Sequence, residues 1–512
     1  MSFPVVNASI SSQTDLLSNQ QIQGLLIGQK TSLGSAISGK LYTNIQNNSD
    51  FESLFGSHSI VADMIRNFKA YNKTTRVDVI PLDDNGSAVA ATGSLVFSGT
   101  ATQDGTYVIN IGSNYNYSFT ISVSNGDTAT DIGDSVEIAI NNNNDIPVSA
   151  LNAAGTVTLT ALNGGTVLNN LGLQIIGSIT GLSTLVNKMS GGANDPSTTG
   201  IFDVVGNTRY QRVVMPYEYG VNVLTAFLDP RFNTVNAVED GVGVVSVTNT
   251  FATLNAIGDN ENSASLVIHG NILVNETNYK GSALFELDYN VSSQFAAISL
   301  LRLTSGADIS EFVVSPASND QVGGINISSL PYFNTPFYNL NVIDPQYVLM
   351  DNEVSELNDS GIFVLTNNVA NNTVVSSQVV TTYKTDAAGN NDDTFKFLNS
   401  VDTSVAIRQE YFFYSKARYA QTRLTTGDVQ PNTGMVNTGT ITADFTGLYD
   451  TLSESQYTLT VAGEDALNYY KDNLNVTITN YALGQVNASG IYPIVSQMRQ
   501  LTIPISINLQ IG

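Results

Sequence analysis

The sequence predicts a multidomain fold of the α/β and α+β classes: a discontinuous α/β domain with an inserted mostly-β domain, an α+β C-terminal domain, and an extended strand arm at each end. Three observations predict it. Apolar runs flank an amphipathic helix near the N-terminus, short strands and turns fill the next hundred residues, and apolar and polar residues alternate over residues 501–511. The 512 residues are enough for about three or four domains.

The first domain is predicted to be α/β. A buried strand at residues 24–28 is followed by an amphipathic helix and by a strand at residues 77–80. The apolar stripe of the helix consists of Ile60, Val61, Met64, Ile65 and Phe68, with Asn72 as a cap. The same texture continues at residues 201–205, 212–215, 265–268 and 361–365, with a helix over residues 292–303. We therefore assign residues 21–91 and 196–370 to this domain.

Residues 92–195 are predicted to form a mostly-β domain inserted into the first one. Short strands separated by turns fit residues 94–97, 107–111, 117–121 and 157–160. One helix interrupts them, because Ile132, Val136 and Ile140 recur every four residues behind a capping box of Thr128 and Asp131. The Gly- and Asn-rich segment 191–196 is predicted to be the linker that ends the insert.

Residues 371–499 are predicted to form an α+β domain. Its elements are a strand over residues 373–383, a long helix over 394–423, a helix over 464–473 and a strand over 474–478.

The two ends of the chain are predicted to be strand arms, residues 1–20 and 500–512. The apolar positions of the arms are Val6, Ala8 and Ile10 at one end and Leu501, Ile503, Ile505, Ile507, Leu509 and Ile511 at the other. A terminal strand can add to a sheet of another molecule, so these residues are predicted intersubunit contacts.

Composition excludes several classes of function. The formal net charge is −24, which is unsuited to binding nucleic acid, because phosphate contacts require Lys and Arg. The chain has no cysteine, and only 12 % of its residues are charged. The first residues lack the pattern of a signal peptide, and no apolar run approaches the length of a membrane span. We therefore expect neither a nucleic-acid partner nor membrane anchoring.

The sequence predicts no catalytic, cofactor or metal site, and hence no enzyme. His58 and His269 are the only histidines; neither has a partner at metal-ligand spacing, and both are interpreted as surface or strand-end residues. Residues 34–41 approximate a phosphate-binding loop, but Leu41 replaces the hydroxyl that would bind magnesium. The acidic segments 83–86 and 386–393 lack the spacing of calcium loops and are interpreted as turns, although calcium binding stays open.

The predicted helix over residues 394–423 carries five basic and two acidic residues, a local charge of +3. The basic residues are Lys396, Arg408, Lys416, Arg418 and Arg423; the acidic ones are Asp402 and Glu410. One interpretation is an ordinary solvated helix face. The other is a basic interface face that meets an acidic partner, such as another copy of this chain.

Several short motifs, in this order and spacing, resemble contractile phage tail sheath proteins of the Mu-like type. Near the N-terminus they are Gly24-Leu25-Leu26-Ile27-Gly28-Gln29, Leu54-Phe55-Gly56-Ser57, Ser59 to Met64, Pro81-Leu82-Asp83-Asp84 and Ala88 to Gly93. The insert closes at Met189 to Pro196, and the last motifs are Gly484-Gln485-Val486, Pro493-Ile494-Val495 and Gln497 to Leu501. The resemblance covers most of the chain and is lowest over residues 320–395.

The resemblance implies a structural subunit of the virion tail, without a cofactor, that assembles in the host cytoplasm. Such subunits form hexameric rings stacked helically around a tail tube, contact baseplate and tail terminator proteins, and contract to drive the tube through the host envelope for genome delivery. Their arms exchange strands between neighbours. The segments above would then be a discontinuous sheath domain, an outer insert and an inner C-terminal domain. The alternatives are the sheath of a phage-derived contractile particle or secretion system, a β-rich tail-spike or glycan-degrading protein, and a surface-layer or adhesin protein.

Overall fold

The computed structural model describes residues 22–46, 48–112, 117–232, 234, 238–273, 279–280, 286–304, 332–337, 340, 348–368, 373–429, 433–454 and 466–493. These residues divide into two compact units, with the division between residues 405 and 406. The part up to residue 405 is called the first unit below, and the part from residue 406 is called the C-terminal unit.

The described residues contain helices and strands in both units. The helices are α1 Asn48–Phe55, α2 Ile60–Tyr71, α3 Ala129–Asn141, α4 Val221–Leu228, α5 Phe251–Asp259, α6 Asp288–Thr304, α7 Asp351–Asp359, α8 Leu398–Tyr419, α9 Thr438–Glu454 and α10 Ala466–Asn473. The strands are β1 Gln23–Gln29, β2 Arg76–Leu82, β3 Ala90–Gly99, β4 Gly105–Ile111, β5 Ser118–Val123, β6 Val148–Ala153, β7 Thr156–Gly164, β8 Leu173–Ile176, β9 Leu182–Ser190, β10 Arg212–Val214, β11 Val242–Asn249, β12 Leu266–Leu273, β13 Tyr279–Lys280, β14 Pro336–Phe337, β15 Ile362–Phe363, β16 Leu365–Asn368, β17 Thr373–Ser376, β18 Arg423–Leu424, β19 Met435–Val436, β20 Asn475–Asn480 and β21 Gln485–Ser489.

A mainly parallel sheet forms the centre of the first unit. Its strand order is β13-β12-β11-β10-β1-β2, with β15 also paired to β12, and only β13 runs antiparallel. Every residue of β1 is buried, as expected for a strand covered on both faces. The predicted α/β character of this part of the chain is therefore confirmed.

Helices cover both faces of this sheet. A Cβ atom on Gly24 of β1 would lie 2.9 Å from Leu300 of α6, and one on Gly243 of β11 would lie 3.2 Å from Leu224 of α4. The register pairs Gly24 with Arg212 and Arg212 with the residue before Gly243, so the two glycines point to opposite faces. Both positions lack a side chain because the helices approach the strands closely there.

The predicted strand–helix–strand unit at the N-terminus is confirmed by β1, α2 and β2. The Ser59 Oγ atom caps α2 by accepting a hydrogen bond of 3.2 Å from the Ala62 amide, and Asn72 ends the helix. The sequence predicts that the α/β texture continues at residues 201–205, but this segment forms turns. Its apolar residues pack locally instead, and the Phe202 ring stacks on the Phe227 ring with centroids 4.0 Å apart.

The segment between β2 and β10 is mostly β, as predicted, and is called the insert below. It contains a four-stranded sheet, β6-β7-β3-β9, and a three-stranded sheet, β5-β4-β8. The Phe97 ring of the first sheet packs on the Tyr107 ring of the second with centroids 5.7 Å apart, as in a sandwich. Helix α3 begins at the predicted capping box of Thr128 and Asp131.

The two ends of the insert meet each other. Val89 and Ala193 exchange backbone hydrogen bonds of 2.9 and 3.1 Å. Beside them, the Asp84 carboxylate accepts hydrogen bonds from the Gln29 side chain at 2.6 Å, the Asn163 side chain at 2.9 Å and the Gly164 amide at 2.8 Å. One carboxylate thus ties the end of β1 to strand β7 of the insert.

A second carboxylate ties the insert to the helices. The buried Asp63 side chain of α2 accepts hydrogen bonds from the Tyr117 hydroxyl of the insert at 2.8 Å and from the Asn290 amide of α6 at 3.0 Å. The Tyr289 hydroxyl donates a third, at 3.2 Å. Burial raises the pKa of Asp63, although Arg66 and these hydrogen bonds act in the opposite direction.

Glu218, which follows β10, is a carboxylate without side-chain donors of the kind that Asp63 has among the described residues. Its Oε2 atom is buried and accepts no hydrogen bond from any residue that the structure describes. Burial, and to a smaller extent the nearby Asp288 carboxylate, raise the pKa of Glu218 to about 8. Ionisation of this group therefore opposes folding.

The buried Arg212 of β10 joins the sheet to the start of α8. Its guanidinium donates hydrogen bonds to the Asp402 carboxylate at 2.7 Å, the Tyr332 hydroxyl at 3.2 Å and the Ser299 hydroxyl of α6 at 3.0 Å. Arg212 is 1 % exposed and Asp402 is 7 % exposed. The predicted domain boundary before residue 371 therefore differs from the observed division after residue 405, because the first turns of α8 are held in the first unit.

We predict that Asp402→Asn lowers the free energy of unfolding by about 3–5 kcal/mol, because it leaves the buried Arg212 charge without a counterion. Urea denaturation of both proteins measures this difference. The matched control is Asp359→Asn, since Asp359 forms an exposed ion pair of 2.9 Å with Lys396 and should contribute about 0–1 kcal/mol. Equal effects of the two substitutions would contradict the proposed importance of the buried pair.

We predict that Glu218→Gln stabilises the protein at high pH. The folded-state pKa of about 8 lies above the ordinary glutamate value of 4.5, so wild-type stability decreases as the pH rises through this window. At about 1.4 kcal/mol per pKa unit, the variant should gain roughly 2–4 kcal/mol over wild type at pH 9 and little at pH 4.5. Urea titrations at both pH values test this, with the exposed Glu356→Gln as control. A pH-independent gain would count against it.

Candidate assembly surface

Aliphatic side chains and tyrosine rings together form the core of the C-terminal unit. The buried Ile407 of α8 lies with Leu448 and Leu452 of α9. Beside them, the Tyr449 ring stacks on the Tyr470 ring of α10 with centroids 4.3 Å apart and planes at 10°. Further rings, Tyr411, Phe445 and Tyr492, extend this aromatic cluster. The cluster fixes α8, α9 and α10 around one small core.

Helix α9 was not expected from the sequence. It is rich in threonine, a residue more typical of strands. In the structure the Thr442, Thr446 and Thr451 hydroxyls each donate a hydrogen bond of 2.7 to 2.9 Å to the backbone carbonyl four residues earlier. These hydrogen bonds satisfy the three hydroxyl groups within the helix itself, so the helix tolerates threonine at these positions.

Strands β20 and β21 form an antiparallel hairpin at the end of the described chain. Apolar residues face one side: Val476 pairs with Ala488, and Ile478 pairs with Val486. Val476, Ile478 and Val486 are half-buried, and every other residue of the two strands is exposed. Helix α9 packs against β20. The hairpin is therefore covered on its apolar side and open on the other.

The outer edges of this hairpin have no partner strand among the described residues, because the sheet has two strands only. Edge strands present unpaired N–H and C=O groups, and a two-stranded sheet is marginal by itself. Part of the predicted strand at residues 474–478 is thus observed as β20, while its partner β21 contains the Gln485-Val486 motif. The hairpin is a candidate receiver for an added strand.

The predicted arms lie outside the described residues. This applies to Val6, Ala8 and Ile10 and to the apolar series from Leu501 to Ile511. Their role as intersubunit strands stays a prediction.

The predicted basic face is divided by the structure. Helix α8 spans Leu398–Tyr419, so Lys396 precedes it and Arg423 follows it. Lys396 binds Asp359 at 2.9 Å, and Arg418 binds Asp444 at 3.1 Å. Lys416 and Arg418 are two residues apart and therefore project about 200° apart around the helix axis. Lys416, Arg418 and Arg423 are exposed, whereas Arg408 is half-buried. The role of these residues as an interface face stays a prediction.

His269 was wrongly placed on a surface or strand end, because it lies within β12 and is completely buried. Its Nδ1 atom is 2.6 Å from the Ser246 hydroxyl. Burial lowers the pKa of His269 to about 3, so the ring is neutral. His58 is half-buried, with Nδ1 3.1 Å from the Ile146 carbonyl.

The other candidate sites are accounted for by local structure. Residues 34–41 belong to a surface loop, and no helix follows before residue 48. In the turn at residues 386–393, Asp386 accepts a hydrogen bond from the Asn390 amide at 2.8 Å and Asp392 accepts one from the Thr394 amide at 2.9 Å. Within the described ranges, no group of three or more His, Asp or Glu side chains is placed to hold a metal ion. None of the described helices is long and apolar enough to span a membrane.

No family model matches the chain. Over 245 residues it is 30 % identical to the Mu-like prophage FluMu tail sheath protein of Haemophilus influenzae, a match that covers 46 % of this chain and 49 % of that protein. The match thus spans about half of the length of this curated relative, which is named as a sheath protein and not as an enzyme.

Solved structures with low similarity were also found. A sheath tail protein from Listeria innocua is 14 % identical, with 94 % of this chain and 93 % of that chain covered and a TM-score of 0.45. A chain of the anti-feeding prophage baseplate is 10 % identical, with 99 % and 100 % covered and a TM-score of 0.48. By its sequence match, the chain is similar to a Mu-like prophage tail sheath protein, as its motifs predict.

Proposed function

We propose that the chain is a structural subunit of a contractile tail sheath. The observation that carries the proposal is the 30 % identity over 245 residues to a protein named as a tail sheath protein. The order of the sequence motifs and the mixed α/β fold with a β insert are consistent with it.

In this proposal the subunits form hexameric rings that stack helically around a tail tube. Baseplate and tail terminator proteins contact the two ends of the stack, and contraction drives the tube through the host envelope for genome delivery. The sheath is a part of the virion tail and assembles in the host cytoplasm. The subunit needs no cofactor, no nucleic acid and no membrane anchor for this role.

The hairpin of β20 and β21 is the proposed receiver of the arms. Both of its outer edges are unpaired among the described residues, and its half-buried apolar side already packs on α9. A strand with the alternation of residues 501–511 could extend both the hydrogen-bond ladder and this apolar side. The arm of a neighbouring subunit would supply that strand, with residues 6–10 as a second contribution.

The energetics favour a joint that forms only during polymerisation. Burying six Leu and Ile side chains contributes about 9–18 kcal/mol, while ordering eleven residues costs about 11–22 kcal/mol. Ladder hydrogen bonds, at roughly 0.5–1.5 kcal/mol each, bring the balance close to zero. One arm therefore binds weakly, and many arms hold a polymer together. Pro504 lacks an N–H and favours pairing along one edge, or a local gap in the ladder.

Exposed basic residues provide a second proposed contact. Lys416 and Arg423 are exposed, and the chain has a net charge of −24, so an acidic surface of a neighbouring copy would attract them. Arg418 already binds Asp444 and would contribute less.

We predict that deleting residues 501–512 leaves folded monomer but abolishes tube formation. Circular dichroism and sedimentation should show unchanged monomers, because a strand that pairs with a sheet of another molecule contributes little to the fold of its own subunit. Negative-stain electron microscopy should show tubes for the full chain only. Normal tubes from the truncated chain would refute the role of the arm.

We predict a difference between the two faces of the arm. Ile505→Thr with Ile507→Thr removes two apolar contacts and should raise the protein concentration needed for tubes by tenfold or more, since each contact contributes about 1.5–3 kcal/mol. The control, Ser506→Thr with Asn508→Thr, changes the alternate face and keeps a residue type suited to strands. Equal behaviour of the two double variants would contradict alternation as the basis of recognition.

A further inference from the structure

Three asparagines of the chain are followed directly by glycine: Asn85, Asn125 and Asn163. In such a pair the glycine amide nitrogen can attack Cγ of the asparagine side chain, because glycine has no Cβ atom to obstruct the approach. The new bond between nitrogen and Cγ closes a succinimide ring, while the side-chain NH₂ group takes up the amide proton and leaves as ammonia. Water then opens the ring to aspartate or isoaspartate. The reaction needs only a base and water.

The structure protects Asn163, which is 2 % exposed. Its Oδ1 atom accepts a hydrogen bond of 3.2 Å from the Ile60 amide, and its Nδ2 atom donates one of 2.9 Å to the Lys30 carbonyl. The attacking group, the Gly164 N–H, is itself bound to the Asp84 carboxylate at 2.8 Å. Reaction at this position would therefore require the loss of several hydrogen bonds and hence local unfolding.

Asn125 lies in an exposed turn of the insert, but the nitrogen that would attack it is bound to another group. The Gly126 N–H donates a hydrogen bond of 2.8 Å to the Ala101 carbonyl. The Asn125 N–H is also bound, to the Asp104 carboxylate at 2.8 Å. Attack on the Asn125 side chain would first have to break the hydrogen bond of Gly126, so this turn slows the reaction.

Asn85 differs from both, because the attacking nitrogen beside it is unbound. The Gly86 N–H has no acceptor among the residues that the structure describes, and Gly86 is exposed. The Asn85 Oδ1 atom accepts hydrogen bonds from the Ser87 amide and the Ser87 hydroxyl, both at 3.0 Å. When the nitrogen attacks Cγ, negative charge develops on Oδ1, and these two donors are placed to stabilise it.

We propose that Asn85 is a site of spontaneous deamidation in the folded protein, and that Asn125 and Asn163 are protected until the chain unfolds. The inference concerns the single subunit and does not depend on the proposed assembly. It follows from the one difference that the structure makes among three chemically equal pairs, namely whether the glycine N–H is already bound.

The position of Asn85 gives the reaction a structural consequence. Its Nδ2 atom donates a hydrogen bond of 3.2 Å to the Asp195 carbonyl, which joins the segments that enter and leave the insert. Deamidation replaces this donor by a carboxylate, which only accepts hydrogen bonds and stands directly after the carboxylates of Asp83 and Asp84. Isoaspartate also adds a carbon to the backbone of the turn that the Ala88 N–H closes on the Asn85 carbonyl at 2.8 Å. The attachment of the insert therefore loosens as the protein ages.

Peptide mapping by mass spectrometry after incubation in alkaline buffer tests the site. In the folded chain, the peptide with Asn85 should gain about 1 Da and contain isoaspartate, which enzymatic methylation detects, while the peptides with Asn125 and Asn163 stay unchanged. In urea all three should react. Equal rates at the three positions of the folded chain, or no reaction at Asn85, would overturn the proposal.

Gly86→Ala is the matched variant. Gly86 has no positive φ, and a Cβ atom placed on it would meet no atom within 4 Å, so the variant should fold normally. The added methyl group should slow the reaction at Asn85 about tenfold, because it obstructs the approach of the nitrogen. An unchanged rate in this variant would contradict attack by the nitrogen of residue 86.

Asn85→Asp reproduces one product and tests the consequence for the insert. Limited proteolysis should cut residues 83–88 or 191–196 several times faster in this variant than in the wild type, because the lost hydrogen bond favours local opening. Asn125→Asp adds the same charge to an exposed turn within the insert and should behave like the wild type. Equal cleavage of the two variants would overturn the inferred loosening.

Discussion

The buried ion pair between Arg212 and Asp402 is the interaction on which the first unit most depends. Arg212 lies in the middle of the parallel sheet, and its guanidinium donates three hydrogen bonds that reach α6, Tyr332 and α8 together. A buried charge without its partner costs far more free energy than an exposed one. Strand β10, helix α8 and the segment with Tyr332 are therefore stable only in the arrangement that brings Asp402 to Arg212. Apolar packing alone would leave more freedom to the position of α8.

Several carboxylates of this protein connect one element of the fold to another. Asp84 and Asp63 join the insert to the sheet and to the helices, and Asp288 accepts hydrogen bonds from Thr248 at the end of β11. Only 12 % of the residues are charged, and several of these charged side chains are buried.

The sequence was informative where local pattern and tertiary context agree. The apolar stripe of α2 and the capping box of Thr128 with Asp131 are local signals, and the structure contains both. The sequence pattern was misleading where contacts with other parts of the chain determine the local structure. The apolar run at residues 201–205 forms turns because Phe202 packs on Phe227 of α4, and the threonines of α9 form a helix because their hydroxyls bind its own backbone.

The candidate site was predictable only in part, for a related reason. A sequence shows that a strand such as residues 501–511 has an apolar side, but the receiving edge depends on which strands the fold leaves unpaired. Helix geometry alone shows that the basic residues of α8 project in different directions. The ion pair of Lys396 with Asp359, in contrast, could be found only from the structure.

The hydrogen-bonded ends of the insert have a consequence for the evolution of the chain. Because Val89 and Ala193 are already paired, the whole segment between them could be exchanged for another domain, or for a tight turn, without displacing β2 or the following strands. The exchange is constrained chemically: Asp84 and Asp63 would each lose donors that the insert supplies. A successful replacement must bring new donors to both carboxylates, so recombination here would select for matching polar contacts more than for a matching fold.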